Sequence, residues 1–196
     1  MKTWGSLKRE ILALGFEKDA TYERYENIII TAVNRAMTLV CATVRPIKRV
    51  LRVSQDKTTE HNMLERVENF MGLFLPAKRA GTDRNVSSRQ TVNGCVVIDG
   101  AGEFDIYYSV KPKRIDIATA DADVIGLDPD VAELIPLLAA YFIWLDDDER
   151  KAVMYWNNYE DMKNQILAMD QRNKPITARV LNEDRSSIFD AFQITM

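Results

Sequence analysis

The stretch from Asp128 to Gln171 limits the possible folds more than any other part of the chain, because its apolar residues recur at a helical period that carboxylates interrupt once. Asp128-Pro129 makes a helix start: the aspartate can cap, and the missing N–H of proline is no loss in a first turn. Val131, Leu134, Ile135, Leu138, Tyr141, Phe142 and Leu145 then build a wide apolar face, and Pro136 in the second turn predicts a local bend. Asp146-Asp147-Asp148-Glu149 ends that helix and starts another, since carboxylates suit the positive end of a helix dipole. The later helix, from about Asp148 to Gln171, turns Ala152, Tyr155, Trp156, Tyr159, Met162, Ile166 and Met169 inward. Tyr141, Phe142, Trp156 and Tyr159 are therefore expected in the core of the helix pair or in a subunit interface.

The amino-terminal part is helical as well. Trp4, Leu7, Ile11 and Leu14 predict a helix from near Thr3 to about Glu17, closed by Gly15 and a Glu17-Lys18-Asp19 turn. Thr21 suits the cap of a second helix, with Tyr22, Tyr25, Ile29, Val33, Met37, Val40 and Val44 on one face. Pro46 stops it, because proline disfavours helical geometry in the residue before it. From Ile47 the pattern changes to alternation: Val50, Leu51 and Val53 among Arg49, Arg52 and Ser54 predict a strand. A polar stretch, Gln55 to Asn62, precedes a short apolar segment around Leu64, Val67, Phe70 and Phe74, and the basic run from Lys78 to Arg89 reads as an exposed loop. Strands over Gly94–Asp99 and Glu103–Val110, joined by Gly100-Ala101-Gly102, predict a β-meander or small sandwich. Pro112 bars Lys111–Arg114 from a central strand and places it at an edge. The expected fold class is α+β: a helical bundle from residues 1–46 and 118–171, a β-rich insertion over 47–117, and an extended C-terminal arm over 172–196.

Composition narrows the function classes. With 196 residues, 46% of them hydrophobic and 28% charged, the chain can bury a sizeable core. A net charge of −3 argues against a dedicated nucleic-acid binder, whose domain is usually basic. Cys41 and Cys95 lie far apart without a partner motif and read as small hydrophobes in a reducing compartment. No apolar run reaches the length of a membrane span, and Met1 to Ser6 lacks a signal-peptide pattern, so a soluble protein is expected.

Catalytic constellations are not apparent. His61 is the sole histidine and reads as an exposed loop or helix-start residue; with two distant cysteines it cannot assemble a zinc site. The Asp146–Glu149 run reads as capping, because consecutive side chains at a helix junction point apart and do not converge on a cation. Gly100-Ala101-Gly102 lacks the lysine and the following helix of a phosphate cradle. Neither a cofactor nor a metal is expected, and no enzymatic activity. Of Tyr107-Tyr108, one ring should be buried and the other exposed. Three basic groups in or beside the β-rich middle could meet a partner or DNA: Arg45, Lys48, Arg49 and Arg52; Lys78, Arg79, Arg84 and Arg89; and Lys111, Lys113 and Arg114. The tail from Arg172 is polar and contains Pro175, yet carries Ile188, Phe189, Phe192 and Ile194 near its end, the pattern of a docking arm that orders on a partner.

The linear order of these pieces resembles the head–tail adaptor (connector) proteins of tailed bacteriophages. Thr3-Trp4-Gly5-Ser6-Leu7-Lys8-Arg9-Glu10-Ile11 with Leu14-Gly15-Phe16 is similar to their first helix, and the Asn34-Arg35-Ala36 helix ending at Thr43-Val44-Arg45-Pro46 to their second. Ile106-Tyr107-Tyr108 running into Lys111-Pro112-Lys113-Arg114-Ile115 resembles the end of the β insertion in several members. Leu134 to Met162 resembles the family's paired carboxy-terminal helices, with a leucine-proline start, an acidic junction and an Asn-x-Tyr-Glu element at Asn157 or Asn158, Tyr159 and Glu160. The resemblance covers about Thr3 to Ala168. It implies a non-enzymatic virion protein of the neck, assembled in the host cytoplasm: a homo-oligomeric ring, commonly a dodecamer, bound to the portal protein. Its channel would pass DNA without sequence-specific binding, and its lower side would receive the next neck or tail protein. No membrane contact is implied. Lateral contacts in such a ring would cover aromatic and methionine surface that one subunit cannot hide. The other reading is a sequence-independent DNA-binding or regulatory protein using the basic middle. An enzyme centred on Asp147 is the third.

Overall fold

The computed structural model describes residues 1–16, 20–91 and 93–172. The protein is α+β, with helices at both ends and a sheet-rich middle. Packing divides the chain into two units, Met1–Lys163 and Asn164–Met196. Of the second, the described residues are the last turns of a helix.

The first helix, α1 (Trp4–Gly15), is capped by Thr3, whose hydroxyl accepts the Ser6 N–H at 3.3 Å. Trp4, Leu7 and Ile11 are fully buried. Gly15 lies against helix α5 (Leu134–Trp144): a Cβ there would stand 2.8 Å from Ile143 Cδ1. The turn expected over Glu17-Lys18-Asp19 lies outside the described residues. Helix α2 (Tyr22–Thr43) buries Ile29, Val33, Met37, Val40 and Cys41, the last with its thiol pushed up to about 11 by burial and by Asp128. Helix α5 packs against both α1 and α2 and is buried on nearly every side, with Leu134, Ile135, Leu138, Ala139 and Ala140 all inaccessible.

The helix expected to bend at Pro136 is instead broken. Pro129–Ala132 forms a separate turn, α4, and α5 begins at Leu134. The cause is local: the ring of Pro136 would meet the carbonyl four residues back, at Ala132, and offers it no N–H. Helix α6 (Glu149–Arg172) starts at the acidic junction, where Asp148 Oδ1 accepts the N–H groups of Arg150 (3.0 Å) and Lys151 (3.2 Å). Not all its expected inward residues are covered: Ala152, Tyr159 and Ile166 are buried, whereas Met169 is exposed, as is Leu145 just before the junction.

The middle is a small sandwich of two antiparallel sheets. One has β1 (Ile47–Gln55), β7 (Gly102–Val110) and β3 (Phe70–Leu73) in that order, with β4 (Lys78–Arg79) also on β7. The other places β6 (Cys95–Ile98) between β2 (Thr59–Asn62) and β5 (Ser88–Gln90). The two share one core of Val53, Met63, Val67, Phe70, Ala77, Val96, Ile98, Phe104, Ile106 and Tyr108, with Met63 contributed by the short helix α3 (Met63–Arg66). Consecutive β6 and β7 do not form a hairpin, because the Gly100-Ala101-Gly102 turn hands the chain from one sheet to the other. Gly100 (φ 91°) and Gly102 (φ 136°) hold backbone angles that a side chain would strain. The polar stretch after β1 contains a strand, β2, and the basic loop begins and ends in the short strands β4 and β5. The segment Lys111–Arg114 joins no strand, and Pro112 is buried.

Two devices fix the base of the insertion, one on its last residues and one between the helical segments that flank it. Asn34 on α2 donates from its amide to the Ile115 carbonyl (2.8 Å) and accepts the Ile115 N–H (2.9 Å), imitating a strand pair. Arg45 reaches Asp128 (2.9 Å) and Asp130 (3.2 Å) ahead of α4 and within it. The following segment returns to α1, with Trp4 N–H on Asp123 O and Ile125 N–H on Lys2 O. No helix among the described residues is long and apolar enough to cross a membrane.

Candidate interaction surfaces

Residues directly opposite in an antiparallel pair project to the same face, so the β1–β7 register lays out two surfaces. Phe104, Ile106 and Tyr108 turn into the core. The intervening residues face outward: Lys48 opposite Ser109, Val50 opposite Tyr107, Arg52 opposite Asp105. Tyr108 is buried and Tyr107 half-buried, one ring to each side. On the outer face Phe74 meets Tyr107 edge-on at 6.1 Å, Lys48 Nζ lies 5.2 Å from the Phe74 ring, and Lys78 Nζ lies 5.7 Å from the Tyr107 ring. Both amines are within cation–π reach. Arg52 grips Asp105 through two bonds of 2.8 and 3.2 Å, and this holds the Asp105 carboxyl below the usual carboxylate range. Lys78 pairs with Asp83 at 3.0 Å, which raises its amine. Lys48 and Phe74 belong to this face although no local pattern joins them, since the register alone brings them together.

The basic candidates are not gathered into one patch. Lys78 stands on the outer face. Arg79, bonded to the Ala101 carbonyl (3.3 Å), and Arg84 line a crevice of about 360 Å³ that also contains Asp99. Lys111 and Lys113 join Arg49 and Glu68 in another of about 260 Å³. Arg89 lies on β5 in the second sheet, and Arg114 precedes the Ile115 that Asn34 holds. Arg45 and Arg52 are already ion-paired. Arg49 also lines a neighbouring crevice with Arg45 and Lys48, so five basic side chains adjoin at this end of the insertion, Arg45 among them already neutralised by its ion pairs.

The four aromatic candidates are brought together at the helix pair. Tyr141 is 5.1 Å from Phe142 and 5.1 Å from Trp156, and Trp156 is 5.4 Å from Tyr159. Tyr159 is buried; the other three are half-buried. The Arg35 guanidinium covers Phe142 at 4.1 Å, and Lys151 covers Trp144 at 3.7 Å. Leu145, Val153 and Met154, on the same helix pair, remain 42, 50 and 47% exposed. The docking residues expected in the tail, Ile188, Phe189, Phe192 and Ile194, lie outside the described residues.

His61 departs from expectation. It is on β2, pairs with Val96 and is 3% exposed. The Gln55 amide donates to the carbonyls of Ile98 (2.9 Å) and Gly100 (2.7 Å), which leaves Gln55 Oε1 to accept from His61 Nε2 at 2.7 Å. This network ties β1, β2, β6 and the glycine turn at the corner between sheets. Burial, and the charge of Arg66, lower the imidazole pKa. The polar letters around His61 concealed it, because their hydrogen bonds are satisfied within the edge of a sheet. Among the described residues no group of three or more histidine, cysteine, aspartate or glutamate side chains is placed to hold a metal.

No known family model matches the chain, and no curated protein matches it significantly.

Proposed function

We propose that the protein is a structural ring subunit of a tailed-phage neck: a head–tail adaptor of about twelve copies beneath the portal, joining capsid to tail and lining part of the DNA channel. The observation that carries this reading is the helix pair α5–α6. It holds the residues that most resemble the adaptor family, and there large apolar side chains, Leu145, Val153 and Met154, stand uncovered in the single chain. Lateral packing of copies would remove that surface from water. The net charge of −3 and the ion pairs of Arg45, Arg52 and Lys78 suit a conduit through which DNA slides, and they weigh against the DNA-binding reading. Native mass spectrometry tests the reading. The protein should form closed oligomers as its concentration rises, and Val153→Asp with Met154→Asp should leave a folded monomer. A chain that stays monomeric at every concentration and binds duplex DNA with steep salt dependence would favour the other reading.

A further inference from the structure

Strand β1 is nine residues long and lies at the end of its sheet, paired with β7 on one side only. On its other side no described backbone group pairs with it; only the Lys48 carbonyl is met, by the Arg49 guanidinium at 3.3 Å. In an antiparallel pair every second residue turns its N–H and C=O away from the partner, so β1 offers a ladder for one more strand. Its exposed side chains are patterned. Lys48, Val50 and Arg52 follow one another on the outer face, Val50 54% exposed, and Arg49 projects on the other. Asp105 takes one side of the Arg52 guanidinium and leaves 62% of that side chain open.

We infer that the free edge of β1 binds an extended acidic segment of a partner protein by strand addition, with carboxylates beside Lys48 and Arg52 and a small apolar residue beside Val50. Opposite charges on neighbouring strands stabilise a pair, and like charges directly across destabilise it. The same cations therefore reject a second copy of β1, whose lysine and arginines would face their own kind. Main-chain bonds would supply affinity and the cation–apolar–cation row would select the sequence. This inference does not depend on the ring reading.

The full-length protein is titrated with three blocked peptides: Thr-Glu-Thr-Val-Thr-Glu-Thr, the same peptide with both glutamates replaced by lysine, and the glutamate peptide N-methylated at alternate residues. The glutamate peptide should bind and slow amide exchange within residues 48–54. Lysine replacement or N-methylation should weaken binding by roughly tenfold or more. Lys48→Glu with Arg52→Gln, checked for an unchanged circular dichroism spectrum, should lose the glutamate peptide, whereas Arg49→Glu, on the other face, should keep it. Equal binding of the N-methylated peptide would overturn strand addition in favour of plain charge attraction. Absence of binding at millimolar peptide, or protection of the same amides by self-association without peptide, would overturn the inference altogether.

Discussion

At His61 a buried ring nitrogen makes stability respond to mild acid. The imidazole is buried, Nε2–H is engaged by Gln55, and protonation would put a charge among Val96, Ile98 and the nearby Arg66. Its folded pKa lies below the unfolded value near 6.5, so the unfolded chain binds the extra proton first. The stabilisation is thus complete above pH 6.5 and lost as pH falls from there toward the folded pKa. Urea denaturation from pH 8 to 5 should show wild type losing stability in that window relative to His61→Leu; a difference that does not change with pH would remove the buried network from the account. Asn34 makes a second residue-scale case. Asn34→Ala strips both bonds from Ile115 and should cost about 1–2 kcal/mol by chemical denaturation. Neither residue was legible in the sequence, where each is a polar letter among others. Their roles come from partners 6 and 81 residues away.

Elements were legible where one periodic signal ran long enough to dominate. Helices α1, α2 and α6 and strand β7 follow their patterns closely. The break at Glu133 was not, because the pattern of apolar residues continues across it while only the backbone at Ala132 rejects Pro136. β2 was missed for the opposite reason: its letters are polar, and it is a strand only because β6 lies beside it. The acidic junction behaves as a cap, so Asp148→Ala should destabilise by about 1 kcal/mol, while Asp147→Ala, exposed, should change little. In α6 Tyr159 and Trp156 should separate. Tyr159→Ala, from a site 1% exposed, should cost roughly 3–5 kcal/mol, and Trp156→Ala, half-buried, clearly less. The reverse order in denaturation midpoints would show that α6 packs on another face.

For the whole molecule, the sequence carried the order of helices, sheets and helices, and it placed the aromatic cluster on the helix pair. How the basic residues divide among separate surfaces depends on strand register and on which sheet each strand enters, which no local pattern encodes. Truncation after Gln171 belongs at this scale. Should the tail be the portal-docking arm, the shortened chain keeps its circular dichroism spectrum and its self-association, yet fails to join portal-bearing heads. Wild-type assembly of that variant would move the docking role to the 78–89 loop. The most direct test of the neck-ring reading is negative-stain electron microscopy of the purified protein mixed with its portal. The expected result is an added ring of density, about twelve-fold, coaxial with the portal and beneath it. Portals left bare beside monomeric protein would contradict it.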